Sequence, residues 1–356
     1  MINVAALTDH TFTPSSRYRV RQFINPLKRY DISVKDFKRK YSSQLITPKA
    51  GKRIRSSSLL LGRAVNQEFL NLFNTFNRVV KSNSFDAIWL SRQLIIGHPP
   101  LVELVIKKPL IYDIDDAVFL TSFFAKKQVE YISKRSNIIF AANDYLANYL
   151  SQYSDSIHVI PTTVDTDLFR PVIKESSIDT QKTVTIGWSG TSSSYKYFYD
   201  LEDTFENLSN KFKNVKFVFV SDRFPYELKK ISKFIKFIKW KEEIDATSIQ
   251  KFDIGIMPIN NDEWCKGKGA YKMMLYSSCG IPVVVSPVGE NKKILKSANV
   301  GFGPVDKDDW YSALETLILS KSDRDNFGSN GREYILNNRN LSTHTRKISK
   351  LISSIL

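Results

Sequence analysis

The chain has 356 residues, of which 42% are hydrophobic, and this is enough for two domains that each bury a core. The formal net charge of +16 is compatible with partners that carry negative charge and equally with a surface that is simply rich in lysine. Its two cysteines, Cys265 and Cys279, exclude a disulfide framework and indicate a reducing compartment, and no apolar run is long enough to predict a membrane-spanning helix.

The first half of the chain alternates short apolar runs with helical patterns. Strands are predicted at Ile2–Leu7, Ile32–Phe37, Phe85–Leu90, Pro109–Ile114, Asn137–Ala141 and Ile157–Ile160. Helices are predicted at Val20–Tyr30, Leu59–Lys81, Pro99–Ile106, Phe123–Lys134 and Tyr145–Tyr153. In the second helix, Phe69, Leu72, Phe73 and Phe76 follow the three-and-four spacing of one helix face. This alternation predicts a parallel sheet with helices on both faces.

A polar segment bracketed by prolines, Pro161–Pro171, marks a domain boundary, and a hydrophilic run continues to Lys182. The alternation then starts again, with strands predicted at Val184–Trp188, Val215–Val220, Phe237–Trp240, Ile254–Pro258 and Ile281–Val285. Helices are predicted at Phe198–Lys211, Glu227–Ile235, Thr247–Lys251, Ala270–Ser278, Trp310–Ser320, Ser322–Asn337 and Thr343–Leu356. The fold class is therefore α/β, with two sheet domains of similar design.

The stretch from Trp264 to Asn291 reads as a loop, a helix, a buried strand and a second loop. Lys266 and Lys268 alternate with glycines just before the helix, so positive charge and backbone amides gather at a helix N-terminus. This is where an open α/β sheet binds phosphate. The alternative is that both lysines are ordinary surface residues.

Two further loops are candidates for a diphosphate site. In the loop after Trp188, glycine and hydroxyl residues can approach and cradle an anion, and the candidates are Gly190, Thr191, Ser192 and, further on, Lys196. In the turn after Val285, a helix begins again, and the candidates are Gly289, Glu290 and Asn291. The alternative for both loops is a plain strand-to-helix connection.

The stretch 264–291, together with the proline-bracketed segment, resembles a GT-B glycosyltransferase of the retaining, family-4-type group that builds bacterial surface polysaccharides. The resemblance implies two Rossmann-like domains facing across a cleft. It implies an acceptor-binding domain at 1–170, a donor-binding domain at 171–338, and a C-terminal helix at 339–356 that returns to the first domain. The implied reaction moves a sugar from a nucleotide-diphosphate sugar to a hydroxyl of a glycan or a lipid-linked acceptor.

The resemblance also assigns expected roles in the second domain. Lys268, Lys272 and Tyr276 match a Lys-x3-Lys-x3-Tyr pattern of such relatives, so both lysines are expected at the donor, with Lys268 stabilising the leaving diphosphate. Trp240 is a candidate border of the base pocket and Glu242 a candidate acceptor for ribose hydroxyls. No cofactor and no essential metal are expected, because basic groups carry the diphosphate charge.

The chain departs from the family pattern at two kinds of position. Many members carry two glutamates eight positions apart, and the equivalent residues here are Gly267 and Leu275. Members also often have an arginine where Thr191 stands. These differences keep two alternatives open: an inverting transferase or sugar-nucleotide epimerase of the same architecture, and a non-catalytic subunit that binds the donor.

The first domain offers acids and arginines at the ends of predicted strands. Asp113, Asp115 and Asp116 follow a buried strand and are candidate catalytic residues that orient an acceptor hydroxyl or act as base; helix capping and metal binding are alternatives. After the first strand, the candidates for gripping an acceptor phosphate are Arg17, Arg19 and Arg21, which as surface residues could equally be solvated.

The strong positive charge has three interpretations. An anionic membrane surface, a lysine-rich surface without any partner, and nucleic acid would each fit, but no zinc-finger or aromatic pattern accompanies the charge, so no nucleic-acid partner is expected. The first two interpretations stay open. If the membrane is the partner, the basic segment Lys35–Arg55 would attach the first domain to the inner face of the membrane, and the protein would otherwise be cytoplasmic.

Overall fold

The computed structural model describes residues 1–11, 13–40, 58–95, 98–172 and 183–356, and the side chains of residues 58–69 are not part of that description. Most of the basic segment Lys35–Arg55 and most of the hydrophilic run that continues to Lys182 therefore lie outside the described residues. The chain forms two compact units, Met1–Thr162 with Ser342–Leu356, and Thr163–Leu341. Each unit is built on one six-stranded sheet in which all described pairings are parallel, which confirms the predicted pair of α/β domains.

The first unit contains the strands β1 (Ile2–Thr8), β2 (Ile32–Lys38), β3 (Ala87–Ser91), β4 (Leu110–Ile114), β5 (Ile138–Ala141) and β6 (Ile157–Val159). Their order in the sheet is β2-β1-β3-β4-β5-β6. Its helices are α1 (Gln22–Leu27), α2 (Ser58–Ser82), α3 (Phe123–Arg135) and α4 (Asp144–Leu150). All residues of β3, β4 and β5 are buried, because helices cover both faces of a parallel sheet, and this is why they read as unbroken apolar runs.

One helical prediction in the first unit needs correction, because the helix expected at Pro99–Ile106 shrinks to one 3-10 turn, Glu103–Val105. The segment Val20–Tyr30 is helical over its whole length. It begins inside a π-helical segment, Ser16–Arg21, continues as α1, which includes Pro26, and ends in a 3-10 turn, Lys28–Tyr30.

The second unit contains the strands β7 (Val184–Ser189), β8 (Val215–Ser221), β9 (Ile235–Lys239), β10 (Ile254–Met257), β11 (Val283–Val285) and β12 (Gly301–Phe302). Their order is β12-β11-β10-β7-β8-β9. Its helices are α5 (Glu202–Lys211), α6 (Asp245–Ile249), α7 (Glu263–Lys266), α8 (Tyr271–Ser278), α9 (Gly289–Ser297), α10 (Lys307–Leu319) and α11 (Lys321–Asn338). The chain builds outward from β7 on one side and then returns to β10 on the other, so the order reverses between these two strands.

The prediction of a helix at Glu227–Ile235 is wrong. The segment contains only a 3-10 turn, Ser232–Phe234, and Ile235 opens β9 by pairing with Phe217. Leu228 and Ile231 are fully buried and lie three positions apart, which imitates the helical period. Irregular backbone can therefore satisfy the same burial pattern.

The last helix, α12 (Leu341–Ser353), belongs to the first unit, as the fold class predicted. It buries Ile348 and Ile352, and the Nζ of Lys347 donates to the carbonyl oxygen of Val159 at 3.0 Å. The chain thus leaves the first unit once and returns to it at its C-terminus.

Over residues 70–82, the part of α2 with described side chains, most of the large apolar side chains face solvent, and the side chain of Phe69 lies outside the description. Leu72, Phe73 and Phe76 are 44%, 57% and 45% exposed, whereas Thr75 and Val79 are buried. A helix that covers a sheet normally has the opposite orientation. Over the part of the chain that the structure describes, no helix, α2 included, has the length and apolarity needed to cross a bilayer.

Candidate functional site

The candidate site lies in the second unit, where the strand order reverses between β7 and β10. Ligands of open parallel sheets bind at such a point, beyond the carboxyl ends of the strands. Three loops leave this edge of the sheet: the loop after β7, the loop between β10 and α8, and the loop between β11 and α9. These are the three loops in which the sequence predicted a diphosphate site.

Lys272, in the first turn of α8, is in close contact with Gly190 in the loop after β7. A Cβ atom added to Gly190 would lie 2.5 Å from the Cε of Lys272 and 2.6 Å from the ring of Trp188. The Nζ of Lys272 lies 5.9 Å from the centre of the Trp188 ring. Only glycine leaves room for this approach, and the lysine places positive charge directly beside the loop after β7.

Gly289 brings the loop after β11 against the segment Lys266–Gly269, which we call the lysine loop. Its φ of +53° is in the left-handed region, and an added Cβ would lie 2.7 Å from the carbonyl oxygen of Lys266. Helix α9 starts at this residue without any side-chain cap on its first turn. The positive end of the α9 dipole is thus held beside Lys266–Lys268.

A buried cluster of Tyr197, Cys265 and Val288 fastens the three loops together. Tyr197 lies on the 3-10 helix Ser192–Leu201 that follows Gly190, and the Sγ of Cys265 lies 3.4 Å from its hydroxyl oxygen. Burial raises the pKa of the Cys265 thiol, so this cysteine is a packing residue and not a nucleophile. Backbone support comes from Ser189, whose N–H donates to the hydroxyl of Tyr276 at 2.9 Å.

The three predicted lysines differ in their surroundings. Lys272 reaches the Gly190 loop, and Lys268 is half-buried with its Nζ 5.6 Å from the ring of Trp264. Lys266 instead pairs with Glu263, with 2.5 Å between Nζ and Oε1, at a solvent-exposed position. Its charge is therefore partly neutralised within the same turn, and Lys268 and Lys272 remain the candidates for binding an anion.

In the loop after β7, the predicted hydroxyl residues already have partners within the protein. The N–H and the hydroxyl of Ser192 both donate to Asp222, at 2.6 and 2.8 Å. Thr191 is exposed, with its hydroxyl 2.9 Å from that of Ser193, and Lys196 is exposed with its Nζ 5.2 Å from the Tyr197 ring centre. Asp222 thus holds the loop through Ser192, whose N–H and hydroxyl hydrogen are both engaged within the protein.

Glu290 and Asn291 also differ from their predicted roles. Glu290 is buried and pairs with Arg339, and the side-chain amide of Asn291 donates to the carbonyl oxygen of Ser286 at 3.1 Å. Both side chains therefore point into the protein and shape the start of α9. Of this loop, the backbone at Gly289 remains the part positioned to meet a donor.

The predicted base-pocket residues follow β9, two strands away from β7. Trp240 is half-buried and packs at the edge of the core, and its backbone N–H donates to the carbonyl oxygen of Ser221 at 2.8 Å. Glu242 is exposed and opens the 3-10 turn Glu242–Ile244. Of the two glutamate positions of the family, Gly267 lies between Lys266 and Lys268 and Leu275 lies inside α8, and both residues are buried.

In the first unit, Asp113 and Arg19 form a buried ion pair. The Nε of Arg19 lies 2.8 Å from Oδ1 of Asp113, both side chains are 2% exposed, and the indole N–H of Trp89 donates to Oδ2 at 3.3 Å. Burial raises the pKa of Asp113 to about 6, although the charge of Arg19 opposes the shift. Enclosed in this way, Asp113 and Arg19 cannot reach an acceptor, so the structure favours the neighbouring acids for that role.

Asp115 and Asp116 share one cation, Arg92. The Nε of Arg92 lies 2.7 Å from Oδ1 of Asp115, and its Nη2 pairs with Asp116. Burial alone would raise the pKa of Asp115, but the charge and hydrogen bond of Arg92, a hydrogen bond with Ser15 and the charge of Arg19 together hold it below its usual value. Both acids are half-buried just beyond the carboxyl end of β4.

Arg17 and Arg21 have different environments from each other. Arg21 pairs with Asp36 at 2.7 Å and donates to the carbonyl oxygens of Asp9 and Thr11, so it braces the loop after β1. Arg17 is half-buried, with its guanidinium 4.8 Å above the ring of Tyr18. Of the three predicted arginines, Arg19 and Arg21 are held in ion pairs, and Arg17 stays a candidate for an acceptor phosphate.

Comparisons with known proteins agree on the fold. No family model matches the chain, and no curated protein matches it by sequence. Its structure is similar to that of HepE from Anabaena in complex with UDP-glucose, with 15% identity, 99% of this chain and 100% of that chain covered, and a TM-score of 0.69. It is also similar to WaaG, a glycosyltransferase involved in lipopolysaccharide biosynthesis, with 13% identity, 99% of each chain covered and a TM-score of 0.64.

A third similar structure is that of a protein described as a UDP-N-acetylglucosamine 2-epimerase from Listeria monocytogenes. The identity is 11%, 99% of this chain and 96% of that chain are covered, and the TM-score is 0.62. At such identities the likeness shows the fold alone. The chain has the two-domain GT-B fold, as predicted.

The Gly190→Ala variant tests the packing of the site. Its new methyl group must displace Lys272 or the buried ring of Trp188, so we expect a loss of about 1–3 kcal/mol in the free energy of unfolding, measured by urea titration. Gly303→Ala is the control, because its methyl group mainly meets the flexible end of Leu295 at 2.8 Å. Equal losses in the two variants would contradict the tight approach at Gly190.

Proposed function

We propose that this protein is a glycosyltransferase that uses a nucleoside-diphosphate sugar as donor. The single observation that carries the proposal is the convergence of Gly190, Lys272 and the uncapped start of α9 at the reversal point of the second sheet. The ammonium group of Lys272 and the positive end of the α9 dipole can share the negative charge of a diphosphate, and Gly190 lets the backbone approach it closely. The GT-B fold shared with HepE, which has been captured with UDP-glucose, supports this interpretation.

In the proposed reaction, the bond between the sugar's anomeric carbon and the diphosphate oxygen breaks. An acceptor hydroxyl oxygen forms the new bond to that carbon, and its proton passes to a base. Lys268, Lys272 and the α9 dipole stabilise the negative charge that develops on the departing diphosphate. Asp115 and Asp116 are the proposed acceptor-orienting acids, with Arg17 as a contact for a phosphate on the acceptor.

The finer parts of the proposal come from the family resemblance. We propose a glycan or lipid-linked acceptor of the cell envelope, and the likeness to WaaG supports this choice. Retention of anomeric configuration is proposed from the same resemblance, although Gly267 and Leu275 replace the usual glutamates. The lysines supply the charge that a divalent metal supplies elsewhere, so transfer should persist in EDTA.

The experiment is a thermal-shift panel with UDP, GDP, ADP, CMP and dTDP, followed by transfer assays with the sugar nucleotides of the base that binds. We expect one nucleoside diphosphate to raise Tm, with uridine the first base to test. If none of the five changes Tm, the proposed donor site is wrong. If a donor binds but no transfer occurs in extracts that supply acceptor, the protein is a donor-binding subunit.

An epimerase is the second candidate, and the likeness to the Listeria protein is the observation that favours it. Incubation with UDP-N-acetylglucosamine alone, monitored by NMR, distinguishes the two activities. A transferase leaves the sugar configuration unchanged, whereas an epimerase converts it at C2 without any acceptor. The anomeric signal of a transfer product then separates retention from inversion.

A further inference from the structure

The solvent-facing side of α2 is an unusual apolar surface. Leu72, Phe73, Phe76 and Val80 fall on one face of the helix and are 44%, 57%, 45% and 45% exposed. We call these four residues the α2 stripe. Large apolar side chains are common singly on protein surfaces, but a contiguous stripe marks a place where something binds.

Polar contacts fix α2 in this orientation. Arg78 lies on the inward face, where its Nε donates to the carbonyl oxygen of Phe37 at 2.9 Å and its Nη2 to that of Thr8 at 2.5 Å. At the end of the helix, the side-chain amide of Asn83 donates to the carbonyl oxygen of Val105 at 2.9 Å. Turning the helix to bury the stripe would break these bonds, so its exposure is built into the fold.

The apolar surface extends beyond the helix. The segment that receives the Asn83 bond carries Leu104, which is 56% exposed, and Leu101, just before it, is 63% exposed. Both residues belong to the connection from β3 to β4. A segment in contact with α2 therefore exposes large apolar side chains as well.

The positive charge near the stripe favours a partner with a negatively charged surface. Residues 70–82, the part of α2 with described side chains, include Arg78 and the exposed Lys81 but no acid. Exposed lysines also lie on the edge strand β2, at Lys35 and Lys38, and just after it, at Lys40. Pairing two copies through this surface would bring like charges together, whereas an anionic bilayer complements both the charge and the apolar stripe.

We propose that the α2 stripe docks on an anionic lipid bilayer. The helix lies parallel to the surface, with Phe73 and Phe76 at the depth where headgroups meet acyl chains and Lys81 at the lipid phosphates. This goes beyond the proposed transfer reaction and does not depend on it. It would hold the first unit at the surface where a lipid-linked acceptor is found.

The test is vesicle sedimentation of the full chain with phosphatidylcholine alone and with phosphatidylcholine containing phosphatidylglycerol. We expect binding to the anionic vesicles only, weakened by salt. The double variant Phe73→Ser/Phe76→Ser should bind at least about tenfold more weakly, because two large apolar groups no longer leave water. Since both side chains are exposed in the folded protein, its Tm and its Tm shift with nucleotide should match those of the wild type.

The matched control is Phe123→Ser/Phe124→Ser, which removes a second exposed phenylalanine pair, 68% and 50% exposed, at the start of α3 in the same unit. This variant should keep wild-type vesicle binding. A Phe76→Trp variant should show a blue shift of its added fluorescence on anionic vesicles.

Three results would overturn the proposal. They are wild-type binding by the α2 double variant, loss of binding only in the α3 control, and equal binding to both kinds of vesicle. A concentration-dependent dimer that the α2 double variant abolishes would assign the stripe to a second copy of the chain and would overturn it as well.

Discussion

The Arg339→Ala variant is expected to lose about 3–5 kcal/mol in the free energy of unfolding. Arg339 and Glu290 are 9% and 6% exposed in their side chains and are paired with each other. Removing the cation leaves the Glu290 carboxylate buried without its charge partner, which is far more costly than losing a surface ion pair. Urea unfolding followed by tryptophan fluorescence measures the loss, because Trp188, Trp240, Trp264 and Trp310 all lie in the second unit.

Two further variants make this prediction specific. Lys211→Ala breaks an ion pair with Glu315 whose lysine is 55% exposed, so its cost should be at most about 1 kcal/mol. The double variant Glu290→Leu/Arg339→Met removes both charges and should recover much of the loss. If Arg339→Ala cost no more than Lys211→Ala, the pair would not be buried in solution.

The Arg339 pair also joins the candidate site to the point where the chain passes between the units. Glu290 is the second residue of α9, whose start faces the lysine loop. The carbonyl oxygen of Arg339 accepts from the N–H of Val164 at 3.0 Å, and Val164 forms a β-bridge with Asn340. The two segments in which the chain passes between the units, at Val164 and at Asn340, are thus next to the arginine that pairs with Glu290 at the start of α9. We therefore expect Arg339→Ala to weaken nucleotide binding as well as to lower stability.

The sequence predicted the strands well for a physical reason. Central strands of a covered parallel sheet are buried on both faces, and runs such as Val283–Val285 show this directly in the sequence. Short elements escaped because their signal is weak: β12 has two residues and α7 has four, and the latter is marked mainly by Asp262, whose carboxylate accepts from the N–H of Cys265. For α2 the helical period was correct, but periodicity does not say which face meets the sheet.

The candidate site was only partly predictable for a similar reason. Gly190, Lys268, Lys272 and Gly289 follow from loop chemistry next to strand ends, which is local information. The partners of the acids do not, because Arg19 meets Asp113 across 94 positions and Arg339 meets Glu290 across 49. Such pairs depend on tertiary packing, and they decide which predicted residues are enclosed and which can meet a ligand.

The Lys272→Ala variant is expected to weaken binding of the nucleoside diphosphate by about 10- to 100-fold. A hydrogen bond to a charged group contributes about 1.5–3 kcal/mol, and Lys272 is the lysine held against the Gly190 loop. Isothermal titration calorimetry with UDP, or with whichever diphosphate the panel selects, measures the change.

Lys268→Ala should lower kcat more than it raises KM, because charge on the leaving diphosphate is greatest in the transition state.

Lys266→Ala is the matched control for the lysine prediction. Its Nζ already pairs with Glu263 at an exposed position, so its loss should change affinity less than about threefold. The free nucleoside supplies a second control, since it has no phosphate and its affinity should be the same in the wild type and in Lys272→Ala. If Lys272→Ala weakened nucleoside and diphosphate equally, or if Lys266→Ala matched it, the lysine at Gly190 would not be a diphosphate ligand, and the assignment of the donor site to the reversal point of the second sheet would fail with it.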